Sequence, residues 1–259
     1  MVVEFSYTNP PVGTPPAIFG HETSVQSGLI YNGAEDHSLA FTGAGAVNTP
    51  DLSLTNISDE ITVALWAKGD GNALPVATFA FEGEDFEGNR QASSHLPWGN
   101  GVIFWDCGNE GNGWDRINRQ ATEAEYENVW AHWAFTKNAN TGTMRIFRNG
   151  ELWHQATGRD NRINIEKFSI GSNTENTTGY RGELDAIQVF NKELDSDAIK
   201  IWMHQQYDSS LPFAENLEAF YNFDEGTGNI TNDISPNANV ATVAGTPAWR
   251  TLRGKDLFK

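Results

Sequence analysis

Cysteine is almost missing. The chain has 259 residues and one thiol, Cys107, so no intrachain disulfide can form. Stability must come from a core, and a chain of this length can bury about 75% of its unfolded surface without covalent staples. Basic residues are scarce as well. Seventeen Lys and Arg stand against 34 Asp and Glu, for a formal charge of -17. Such a surface repels phosphate, which excludes nucleic acid and anionic membranes as expected partners. No apolar run approaches the roughly 18 residues of a spanning helix, so membrane insertion is not expected. Met1-Val2-Val3-Glu4-Phe5 has neither a basic start nor a long apolar stretch. It reads as no signal peptide, and the chain reads as one module of a larger protein. His and Cys nowhere fall at zinc spacing. Gly43-Ala44-Gly45 and Glu225-Gly226-Thr227-Gly228 lack the Lys and the helix of a phosphate loop.

What is abundant is aromatic and turn-forming. The chain has nine Trp, fifteen Phe and 25 Gly, a mixture suited to strands joined by turns. Ile61, Val63, Leu65 and Ala67 alternate with Thr62, Ala64, Trp66 and Lys68, the period of a strand. Similar signals appear at 38–42, 76–82, 91–97, 101–107, 130–137, 143–148, 151–155, 167–171, 182–190, 219–223 and 240–243. Asn100-Gly101 and Asn149-Gly150 mark hairpin turns, because Asn-Gly tolerates positive φ. One helix is expected near 196–206: Asp195 or Ser196 can cap it, and Ile199, Trp202 and Met203 form its apolar stripe. Residues 1–20 carry Asn9-Pro10-Pro11 and Thr14-Pro15-Pro16, which read as a linker or sheet-edge segment. About twelve strands and one helix predict an all-β, two-sheet antiparallel jelly-roll sandwich in one domain spanning 1–259.

Four segments carry a family resemblance. They are Ile61–Lys68, Trp130–Thr136, Met144–Trp153 with its Asn149-Gly150 turn, and Gly182–Leu194. In this order, and followed by a helix, they resemble the bacterial laminin-G-like, concanavalin A-like jelly-roll family. The likeness covers Asp59 to Gln206 and implies the sandwich fold. It says less about chemistry, because that fold hosts lectins, adhesion modules, glycanases and spacers. One element is displaced. The segment Leu217–Asn229 with Asn232–Asn237 resembles the family's opening strand and turn, yet stands at the C-terminus. It predicts that 215–259 supplies closing strands, as in a circular permutation, with a truncated second repeat as the alternative.

The block from Ser94 to Arg116 is a second departure and resembles a sub-group of these bacterial modules. Here Trp98 and Trp114 lie in Gly-rich turns, where a core role is hard to arrange. An indole offers an apolar face to the C–H side of a sugar ring, and one N–H donor. Asp106, Asn109, Asp115 and Arg116 can add planar hydrogen bonds, and His95 and Trp105 complete the expected ligand set. The bland alternative puts Phe104 and Trp105 in the core and makes Asp106 a turn cap. His95 reads more readily as a bonded structural histidine than as a base, since no Ser or Cys elbow accompanies it. Glu82 and Glu84 alternate, but Asp85 and Glu87 fall on the other parity. A glycanase of this fold needs its carboxylates on one strand face at set separations, so 82–87 reads as a solvated acidic loop, with Ca²⁺ binding as its other reading.

The resemblance implies a structural Ca²⁺ beside Asp185. Asp36 could meet it across the sheet, with backbone carbonyls completing the six to eight oxygens that Ca²⁺ takes. The expected function is non-catalytic carbohydrate binding or adhesion, with a glycan or surface glycoconjugate as partner, at the cell surface or outside the cell. A spacer or protein-interaction domain of a large adhesin is the alternative. A glycanase or lyase is disfavoured for want of a carboxylate set.

Overall fold

Period-two alternation becomes strand along most of the chain. The computed structural model describes residues 36–111 and 113–252; the proline-rich stretch 1–20 lies outside them. The strands run in order as β1 (Asp36–Thr42), β2 (Ala46–Asn48), β3 (Glu60–Gly69), β4 (Phe81–Glu84), β5 (Arg90–His95), β6 (Val102–Asn109), β7 (Trp114–Gln120) and β8 (Ala131–Asn138). Then come β9 (Thr143–Arg148), β10 (Glu151–Ala156), β11 (Lys167–Ile170), β12 (Arg181–Phe190), β13 (Leu217–Tyr221), β14 (Ile230–Thr231), β15 (Ala241–Ala244) and β16 (Ala248–Leu252). They form two eight-stranded sheets, the first ordered β10-β9-β8-β3-β12-β1-β16 with β13 also on β12, the second β14-β15-β2-β11-β4-β5-β6-β7. Every strand ladder among the described residues is antiparallel. This is the all-β sandwich the alternation predicts.

The inward faces meet in one core. Val63 and Leu65 of β3, Trp133 and Phe135 of β8, and Leu184 and Val189 of β12 face Phe81, Ile103, Trp105, Ile117 and Phe168 of the second sheet. Phe81, Trp105 and Phe135 pack as a triad across the gap, with ring centroids 5.6–5.9 Å apart. One polar side chain joins them: Lys137 of β8 is fully buried.

The expected helix forms at Ser196–Trp202, capped by Asp195, whose carboxylate accepts from the Ala198 N–H at 2.8 Å. It stops four residues short of 206. Gln188 Nε2 and Trp66 Nε1, from the sheet below, donate to the Trp202 and Met203 carbonyls at 3.1 and 3.0 Å. Those carbonyls are the orphan acceptors of a helix end, so the sheet terminates the helix. Ala198, Ile199 and Trp202 pack on Phe190 and Phe220 and cover the outer face of the first sheet. Among the described residues no helix packs on the outer face of the second sheet.

The closing segment enters both sheets: β13 pairs with β12, β16 with β1, and β15 with β2. Three local readings are corrected. The strand expected at 76–82 begins only at Phe81. β2, β7, β14 and β16 are strands the alternation did not show. Glu82 and Glu84 belong to β4 and not to a solvated loop, and Glu82 is buried.

Candidate functional site

The outer face of the second sheet is built by parity. In β6, Ile103, Trp105 and Cys107 point into the core, so Phe104 and Asp106 point out. Register carries this across the sheet: His95 lies opposite Phe104, Ser93 opposite both Asp106 and Glu82, and Arg116 opposite Asp106. Asp106 is the centre. It has no exposed surface and binds two guanidinium groups. Arg116 donates from Nε and Nη2 at 2.6 and 2.7 Å, and Arg90 from Nη1 at 3.0 Å. Arg90 Nε also donates to Glu82 at 2.9 Å, while the Thr174 N–H donates to the other Glu82 oxygen at 3.1 Å. Burial pushes the Glu82 carboxyl above its ordinary range, against the pull of Arg90.

Aromatic rings and guanidinium groups close a ring around Asp106. The Arg90 carbon stands 4.9 Å from the Trp114 centroid and 5.2 Å from Phe79; the Arg116 carbon stands 5.7 Å from Trp114 and 4.8 Å from Phe104. Phe104 meets Trp98 at 6.3 Å, Trp98 meets His95 at 4.5 Å, and His95 meets Phe79 at 4.3 Å. The two tryptophans of the ring are open, Trp98 being 40% and Trp114 42% exposed. Beneath them the floor is buried, and Ser93 Oγ on that floor has no hydrogen-bond partner among the described residues.

The structure divides the expected ligand set. Trp98, Trp114, Arg116, Asp106 and His95 share this face. Trp105 does not: it is wholly buried, its Nε1 donating to the Thr136 carbonyl at 3.0 Å, so it is a core residue and not a ligand contact. Asp115 points the other way and receives Lys137 Nζ at 2.6 Å and the Asn161 N–H at 2.9 Å. Asn109 closes the β6–β7 turn by accepting from the Gly111 N–H at 2.9 Å. Asp106 caps no turn; it anchors arginines in mid-strand. His95 holds the Thr78 carbonyl through Nδ1 at 2.8 Å, and burial lowers its pKa to about 4. It is a neutral structural ring whose outer edge supports Trp98. Cys107 is buried and its thiol is pushed up to about 12.

A second cluster forms where β12 carries a bulge. Between Asp185 and Gln188 the register with β3 slips by one residue, and Ala186 takes a φ of 48°. On its other edge β12 pairs with β1 through Leu184 and with β13 from Ile187. Into the break between these partners come Asp36, Asp185 and Asp224, which line one small cavity with Asn222, Gln206 and Phe220. Burial raises the pKa of Asp185 well above the ordinary range, and the Asp36 and Asp224 charges add to this. Burial and Asp224 raise that of Asp36 to about 7. Among the described residues no three His, Cys, Asp or Glu side chains already stand at metal-ligand spacing. Asp36 and Asp224 instead face each other across the cavity, and the Asp224 charge adds to the proton affinity of Asp36.

Comparison with known proteins decides the family. A family model described as the concanavalin A-like lectin/glucanases superfamily matches residues 41–200, more than half of the chain. The chain belongs to that superfamily. No curated protein matches the sequence. Among solved structures, a Bacteroides ovatus protein provisionally named as carbohydrate-binding is 16% identical, with a TM-score of 0.59 over 85% of this chain. The chain spans 60% of that protein's length. A pentraxin from Limulus polyphemus is 12% identical, with a TM-score of 0.55 over 84% of this chain and 95% of its own. Likeness at these identities speaks for the fold.

In this concanavalin A-like sandwich, sequence reasoning missed five contributors. Arg90, Glu82, Phe79 and Phe104, the last read only as a core residue, belong to the outer-face ring, and Asp224 to the acidic cavity. Arg90 opens the strand that ends in His95, five residues on. Strict parity would send Arg90 to the inner face with Ala92; the bulge opposite Gly83 and Glu84 turns it outward, and no local pattern in the sequence shows that. Asp224 lies in the Phe223–Gly226 stretch of the displaced C-terminal element, where only its strand was read.

Proposed function

We propose that the chain is a non-catalytic carbohydrate-binding module and that the outer face of the second sheet holds the sugar. The observation that carries this is the pair of open indoles, Trp98 and Trp114, fixed at two ends of a rigid ring of bonded groups. Large exposed aromatics with ordered polar neighbours are what sugar rings need: an apolar plate and aimed hydrogen bonds. Rigidity matters because binding then orders few side chains. The binding, non-enzymatic reading has its own support. Asp106 is held by three hydrogen bonds from two arginines, and Glu82 by Arg90 and Thr174. Neither is free to shuttle a proton, and hydrolysis of a glycoside needs two carboxyls that do. The Bacteroides ovatus relative's provisional name agrees with the same reading. A setting at the cell surface or outside the cell, where glycans are displayed, is part of the same proposal.

Ca²⁺ belongs to the proposal as a structural ion of the acidic cavity. Asp36, Asp185 and Asp224 are hard oxygen donors, and Asn222, whose Nδ2 donates to Asp224 at 2.7 Å, leaves its carbonyl oxygen available. Their raised proton affinity expresses uncompensated negative charge, which a divalent cation would neutralise.

The glycan reading is tested on an array with the isolated chain, beside Trp98→Ala and Trp114→Ala. Binding that both substitutions abolish, with melting curves unchanged, is the expected result. Silence of the wild type across the array would end the reading.

A further inference from the structure

We propose that the outer-face site selects an acidic saccharide, a chain bearing the carboxylate of a uronic-acid-type sugar, gripped by Arg90 and Arg116 beside Trp114. This rests on the carbohydrate reading of the same face and names the ligand class.

The argument is an inventory of donors. A guanidinium group carries five N–H donors. Arg116 commits Nε and Nη2 to Asp106, while Arg90 commits Nε to Glu82 and Nη1 to Asp106. Among the described residues Arg116 Nη1 and Arg90 Nη2 have no acceptor. Both guanidinium carbons lie within 5.7 Å of the Trp114 centroid, so two unfilled donor nitrogens flank one open indole. Their orientation is already fixed by Asp106, so little order remains to be imposed on binding.

Charge decides between an acid and a plain hydroxyl. Two positive groups share Asp106, which is wholly buried, whereas the Arg116 side chain is 38% exposed. Arg90 has Glu82 as its second anion, and that too is buried. The solvent side of the ring therefore presents cation and the interior holds the anions. A carboxylate meeting guanidinium forms hydrogen bonds about twice as strong as neutral ones. Trp114 supplies the plate for the ring that carries the acid, and Trp98 lies beyond Phe104 for a further sugar. The net charge of -17 opposes this at long range. Screening limits that repulsion to about 8 Å at physiological ionic strength, so it slows approach more than it weakens contact.

The test compares each acid with its own ester. Oligosaccharides of the common hexuronates, as free acids and as full methyl esters, are titrated calorimetrically into the wild type and into Arg116→Lys. The ester keeps the ring and the hydroxyls and loses the charge. The acid is expected to bind the wild type about tenfold more tightly than its ester. Arg116→Lys keeps a cation on Asp106 but loses the free fork nitrogen, and is expected to bring acid and ester within about twofold by weakening the acid more than the ester. Equal binding of acid and ester by the wild type overturns the proposal without need of the variant. If acids and esters are both ignored while a neutral glycan binds through Trp98 and Trp114, the acid class falls and the carbohydrate reading stands. If no glycan binds, both fall.

Discussion

Asp185 occupies the point where β12 is one residue too long for β3, and its oxygen turns back on the Ala186 N–H at 2.7 Å. Bulges re-aim side chains, and here the re-aimed carboxylate meets Asp36 and Asp224. The sign of the pH response follows. With folded-state affinities raised and Asp36 reaching about 7, the ion-free protein binds protons that the unfolded chain releases. That contribution is full below the ordinary carboxylate value and is lost as pH rises through 7. A cation competing with those protons should therefore stabilise most at high pH. Melting with 5 mM Ca²⁺ against EDTA is expected to show a rise of about 5 °C or more at pH 8 and much less at pH 5. Identical curves at pH 8 would remove the ion from the account. Single residues also show how far sequence reading reaches. Trp98 and Trp114 were legible from the Gly-rich turns that hold them. Trp105 was not, because a tryptophan inside a strand can sit on either face until the strand's parity is fixed. The parity was present in Ile103, Trp105 and Cys107.

Elements were legible in proportion to their alternation. β3, β8 and the β9–β10 hairpin alternate apolar and polar positions or carry Asn-Gly, and their ranges agree within a residue or two. β7 was missed because it is an edge strand with Ile117 as its one inward apolar residue, the rest being Trp, Arg, Asn, Gln and Asp. Asp115 took a ligand role in the reading for the same reason, since its partner Lys137 lies 22 residues away on the other sheet. That pair ties β8 to β7 through the core, with Lys137 Nζ also donating to the Cys107 carbonyl at 2.9 Å. Removing one partner of a buried pair leaves an uncompensated charge, at a cost of about 3–5 kcal/mol. Lys137→Met alone is expected to lower stability by about that amount in urea titrations. Adding Asp115→Asn, which can still accept from Asn161, should recover most of the loss. A harmless Lys137→Met would show that the pair does not hold the sheets together.

Across the whole molecule the sheet ladders join segments far apart in sequence. The C-terminal segment touches both sheets, and without it β1, β2 and half of β12 lose a hydrogen-bonded neighbour. Exposed edges of that kind are costly and prone to pairing with other chains. Deleting 215–259 is expected to abolish the cooperative thermal transition in far-ultraviolet circular dichroism and to leave an aggregation-prone chain. An unaltered melt would mean that the segment is an accessory. The displaced family element was recognisable in sequence by its residues, but not the strands it would join, because pairing between distant segments leaves no local pattern.

The register also places Asp36 opposite Leu252. Neighbouring strands lie about 5 Å apart, so a polypeptide entering at 36 and leaving at 252 does so through two adjacent points at one rim of the sandwich. A host protein could carry residues 36–252 inside one of its surface loops without that loop being forced open, much as a two-pin plug fits a socket. The proposed sugar-binding face, on the opposite sheet, would remain turned to solvent.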